Sequence, residues 1–164
     1  MPAQPNLDAL ARRHIRLGWA AVAVFMLLGL ALEALHALKT DWYLEAAYET
    51  RRLMFTLAHA HGALLGLVNI AFGLTVGGGL SVRSPGAASR LLAAGSVLLP
   101  AGFFLGGLYH YDGDPGLGTA LAPVGAVAVL AAAVLAALPA PEKTPGGPSD
   151  AGAPSHEKKR RKPR

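Results

Sequence analysis

The 164-residue chain contains no cysteine. That excludes disulfides, thiolate zinc sites, iron–sulfur clusters and covalent c-type haem attachment, and it leaves the redox compartment open. Charge is scarce too: 15% of the residues are charged, against about 25% in a soluble domain. Between Arg52 and Arg83 there is no formal charge at all, a run longer than the roughly 20 residues a bilayer-crossing helix needs. With 52% hydrophobic residues and a mean hydropathy of +0.38, this segregation points to a polytopic membrane protein.

Four apolar stretches stand out, over about 17–38, 53–76, 91–108 and 117–138. Residues 1–16 read as a cytoplasmic lead whose Arg12, Arg13 and Arg16 precede the first span, which is too long for a signal peptide. Residues 39–52 form a polar connection in which Trp42, Tyr43 and Tyr48 suit an aromatic belt, with a helix running from about Leu44 into the second span. Gly77-Gly78-Gly79 ends that span. Pro100 predicts a kink in the third, and Tyr109 to Gly116 make a compact turn. From 139 onward Pro, Gly, Ser, Glu and Lys predict a disordered basic tail. The expected fold is an all-α integral membrane four-helix bundle. Arg12, Arg13, Arg16, Arg83, Arg90 and the tail share one side, so the positive-inside rule puts both termini in the cytoplasm. Much of the net charge of +5 lies in residues 158–164. Such a tail beside a span meets anionic headgroups, and no nucleic-acid partner is expected.

Polar groups at membrane depth are functional candidates by default. In this topology Glu33 and His36 lie in the outer part of the first span, three residues apart on one face. His59 and His61 lie roughly 9 to 12 Å below the outer boundary of the second, about 200° apart around the helix. They therefore serve different neighbours, one of them the face that carries Glu33 and His36. Neutral imidazole suits haem iron or a transition-metal ion, with a carboxylate to orient it. This makes His59, His61 and His36 the candidate cofactor ligands, and Glu33 a further candidate in a metal set. The same four groups also suit a proton relay, or histidines that only tie helices together. Glu33 also reads as an interfacial carboxylate paired with Arg51 or Arg52. His110 reads as an exposed turn residue, and His14 and His156 as flanking residues without a role. Asn69 and Thr75 are weak polars of the inner half. Gly62 with Gly66, Gly73 with Gly77 and Gly102 with Gly106 have the spacing of close helix packing, within the chain or between copies.

His59-Ala-His61-Gly62 followed by Leu-Leu-Gly66 resembles the His-x-His helix of haem–copper oxidase catalytic subunits, over about ten residues. There the two histidines face opposite sides and ligate different haems. With four spans and no copper-site histidine pair, the chain is no oxidase. It is more similar to small uncharacterised bacterial four-span membrane families with a His-x-His-x-x-x-x-Gly helix, which implies membership, without an activity, and the bacterial inner membrane. Two functions are expected from these readings. One is a haem- or metal-binding protein with a redox or respiratory accessory role. The other is a structural or assembly subunit, in a homo-oligomer or a larger membrane complex. A proton-coupled carrier is weaker, because no inverted repeat is evident, and no catalytic constellation is visible.

Overall fold

Long Ala- and Leu-rich runs interrupted only by turn chemistry dictate helices. The computed structural model describes residues 6–44, 49–109 and 113–141, and no strand occurs among them. Asn6 starts α1 (Leu7–Ala37), its Oδ1 accepting from the Ala9 amide at 3.1 Å. Residues 7–16 of the lead and the first span are thus one continuous helix. At its end Thr40 N donates to Leu35 O and Lys39 N to His36 O, with Lys39 at φ 51. This is a Schellman turn without the usual glycine. A short α2 (Asp41–Leu44) follows. The next helix, α3 (Glu49–Gly77), closes with the same turn, but there Gly79 holds the left-handed position at φ 77. In α4 (Pro85–Leu108), Pro100 lies in the interior and is fully buried. A 3-10 turn (Leu117–Ala120) leads into α5 (Leu121–Ala137). The tail from 142, Glu45, Tyr48 and residues 110–112 lie outside the described residues.

Four helices are long and apolar enough to cross a membrane: Leu7–Ala37, Glu49–Gly77, Pro85–Leu108 and Leu117–Ala137. They pack in chain order, α1 on α3, α3 on α4 and α4 on α5, while α1 meets α4 only slightly. The central pair buries 39% and 44% of its apolar length inside the molecule, the flanking helices only 11% and 17%. Large apolar side chains such as Trp19, Leu27, Leu30, Val127 and Leu130 are therefore exposed. In water such a surface would aggregate; in a bilayer it is the lipid contact.

Glycine makes the two tightest helix pairs. On α3, Gly62, Gly66 and Gly73 face Phe25, Val22 with Gly18, and Ile15 with Ala11 of the antiparallel α1. On α4, Gly95, Gly102 and Gly106 face Val129, Ala122 and Thr119. A Cβ at Gly18 would stand 2.5 Å from Gly66 O, and one at Gly66 would stand 2.9 Å from Gly18 O. These glycine faces are thus covered by the chain's own helices.

One end of the molecule, here the terminal end, holds the start of α1, the α3–α4 turn and the end of α5. Its core joins Phe72, Val76, Val82, Ala88, Leu92 and Ala132, with Leu10 of α1 packed against them. The distal end is clamped by Arg51. Its guanidinium lies 4.3 Å from the Trp42 ring centroid, and it donates to Trp42 O at 2.9 Å and to Gly107 O at 3.4 Å. A cation on the last carbonyls of α4 also complements that helix's dipole. Tyr43 is not in an exposed aromatic belt. It is buried against Leu32 and Phe55, because α2 folds back onto α1 and α3.

Candidate functional site

At the distal end a groove of about 1150 Å³ lies between α1 and α3. Its α1 wall carries Met26, Leu30, Glu33 and His36; its α3 wall carries Arg52, Leu53, Thr56 and His59. Apolar side chains alternate with ionisable ones along its walls, which makes the site amphipathic. Glu33 and His36 are exposed, while His59 is half-buried. Glu33 has no ion pair among the described residues. Arg52 instead reaches Glu49 on its own helix at 3.5 Å and donates to Leu44 O at 3.0 Å. Arg51 is held by Trp42.

His59 is fixed from behind. Its Nδ1 donates to Phe25 O of α1 at 2.6 Å, which sets the tautomer and leaves Nε2 with the lone pair. The ring can lie this close to α1 because residue 29 is glycine: a Cβ there would stand 2.6 Å from His59 Nδ1. Gly29→Ala is accordingly expected to push the ring off Phe25 O. The change should be visible in the ¹⁵N resonances of the His59 ring; unaltered ring nitrogens would refute the account.

His61 does not join this groove. Its Nδ1 donates to Leu57 O, one turn back on α3, at 2.8 Å, and its ring packs on Phe103 of α4 at 4.9 Å between centroids. The spacing of two residues sends the two imidazoles to different neighbours, α1 and α4. Among the described residues no three His, Asp or Glu side chains converge on a point where they could hold a metal ion. The groove thus brings together His59, His36 and Glu33 along its walls, without His61 and without a closed ligand shell.

The most completely buried polar side chains lie toward the other end. His14, read from the sequence as a flanking residue, is fully buried, as is Asn69, and Ser89 and Ser96 are nearly so. Asn69 Nδ2 donates to Leu65 O at 2.8 Å and to Ser96 Oγ at 2.7 Å, so its Oδ1 is the acceptor for His14 Nδ1 at 2.7 Å. Ser96 Oγ itself donates to Leu92 O at 2.7 Å. That leaves Ser89 Oγ to donate to His14 Nε2 at 2.7 Å. Donors and acceptors match throughout with a neutral imidazole, and the edge of the ring meets Phe72 at 4.8 Å. The chain of bonds ties α1, α3 and α4 together. A signal for it exists in the sequence: His14 stands three residues from Ala11 and four from Gly18, on the face that α1 buries. Ser89, Leu92 and Ser96 likewise share one face of α4. The chain matches no protein-family model, no curated protein and no solved structure.

Proposed function

We propose that this chain is a multi-pass protein of the bacterial inner membrane, with both termini cytoplasmic, that binds haem in the distal groove with His59 as iron ligand and serves a redox or respiratory accessory role. The observation that carries the reading is His59 itself. Its Nδ1–H is held by Phe25 O, so Nε2 is the nitrogen left for iron, in a groove open to its walls. A backbone carbonyl on the far ring nitrogen is the usual support of a ligating histidine. Haem needs only one or two protein ligands, whereas a bare transition ion needs a shell of three or four. Among the described residues no such shell is assembled, so haem fits better than a free ion. Its apolar macrocycle suits Met26, Leu30 and Leu53, and its carboxylates would compete with Glu49 for Arg52 at the rim. His36 and Glu33 then act as wall residues.

Absorption spectroscopy with elemental analysis tests this on protein purified from cells supplied with haem and metals. A Soret band that disappears in His59→Ala and persists in His61→Ala is expected. Colourless, iron-free protein would end the reading.

The second reading is a structural or assembly subunit of a homo-oligomer or larger membrane complex, in which the histidines only tie helices. It is favoured by the bond that His59 Nδ1–H of α3 makes to Phe25 O of α1, and by the packing of the His61 ring on Phe103 of α4. It predicts that His59→Gln leaves the activity of the assembled complex unchanged.

A further inference from the structure

The terminal end carries a charge pattern that the haem reading does not use. Arg12, Arg13 and Arg16 are exposed on the first turns of α1, and Arg83 and Arg90 are exposed just before and within the first turns of α4. These two groups are held side by side. His14, next to Arg13, is bonded to Ser89, next to Arg90, and Leu10 packs on the cluster containing Val82 and Ala88. Among the described acidic residues only Asp8 is at this end; Glu33, Asp41, Glu49 and Asp114 all lie toward the distal end. None of the five arginines makes an ion pair with a described residue, the sole such pair being Arg52 with Glu49. The start of α4 adds to the positive field, because Ser84 provides no side-chain cap for it.

We infer that Arg12, Arg13, Arg16, Arg83 and Arg90 form a binding surface for the headgroups of anionic phospholipids. Their position along α1 selects lipid over a soluble acidic partner. At about 1.5 Å per residue this 31-residue helix is roughly 46 Å long, which exceeds a hydrocarbon core of about 30 Å. Its first turns can therefore reach headgroup level, and Trp19, three residues after Arg16, is 60% exposed and opens the apolar surface that continues through Val24, Met26, Leu27 and Leu30. A basic cluster at such a boundary meets lipid phosphates, and planar guanidinium groups pair with phosphate in a bidentate manner. The surface consists of residues of α1, of α4 and of the turn before α4, and does not include residues 158–164.

Trp19 supplies the probe. Full-length protein carrying Trp42→Phe, so that Trp19 is the remaining tryptophan, is reconstituted into phosphatidylcholine vesicles containing brominated phosphatidylglycerol or brominated phosphatidylcholine. Stronger quenching by the anionic lipid is expected, with the preference falling roughly fivefold for each arginine changed to Gln. Changing the basic residues of 158–164 to Gln should leave the preference intact. Salt provides a test that needs no arginine variant: about 0.5 M should erase most of the difference by screening. Equal quenching by the two lipids, a preference indifferent to salt, or a preference that follows the tail instead of the five arginines would overturn the proposal. The haem spectrum has no bearing on any of these outcomes.

Discussion

Gly18→Ala should loosen the pairing of α1 with α3 and destabilise the protein by about 3 kcal/mol, near the upper part of the range for overpacking a tight contact. The added Cβ would meet Gly66 O at 2.5 Å, Ile70 Cγ1 at 2.6 Å and Ile70 N at 2.9 Å. Two of these are backbone atoms of α3, so no rotamer change can relieve them and the helices must move apart. At Gly62 the added Cβ would meet only side-chain atoms, those of Phe25 from Cγ outward, so its relief requires a new χ1 rotamer of Phe25 and not a movement of the α1 backbone. Gly86→Ala is the control: its nearest neighbour would be 3.9 Å away, and helix propensity alone should make it neutral or stabilising by up to about 1 kcal/mol. Unfolding by sodium dodecyl sulfate in mixed micelles, followed by circular dichroism, gives the comparison. Equal midpoints for Gly18→Ala and Gly86→Ala would refute the close approach of α1 and α3.

Asn69→Leu should cost about 2 kcal/mol, and the pairing of the cost matters more than its size. The substitution strands His14 Nδ1–H in a site without solvent, and an unsatisfied buried donor costs roughly 1–3 kcal/mol. Interhelical bonds in membranes average nearer 0.6 kcal/mol because a freed group usually finds another partner. His14 cannot do so easily, since Ser89 holds its other nitrogen. Ser96→Ala should be milder, because Asn69 Nδ2 keeps its bond to Leu65 O. Replacing both His14 and Asn69 with Leu should cost clearly less than the two single changes added together, as both partners are then removed. Strict additivity in that double-mutant cycle, by the same unfolding assay, would show that the four side chains are not one network.

The polar groups divide by how they could be read. His59, His61, Glu33 and His36 stand out because each interrupts an otherwise apolar run, and composition alone reveals that. His14 escaped notice because it follows Arg12 and Arg13, where a polar residue looks ordinary. Only the start of α1 at Leu7, ten residues before the apolar run, brings it inside the molecule. Gly29 and Gly18 were hidden for a related reason. Neither has a glycine four residues away, and their importance lies in what the facing helix presents to them.

The sequence by itself determined the number of apolar helices, the turn chemistry between them, the exclusion of cysteine-based sites and the divergence of His59 from His61. Each of these follows from local periodicity and from the cost of charge in hydrocarbon. The tertiary structure alone decided which face met which. It put His59 and His36 along one groove and His61 on the other flank, and it closed the His14–Asn69–Ser89–Ser96 chain of hydrogen bonds. The physical reason is that apolar surface is almost uniform around these helices, so hydrophobic patterning gives little rotational information. Close glycine contacts and directional hydrogen bonds between residues 55 and 75 positions apart fix the rotation instead, and such pairings become visible only once the chain is folded.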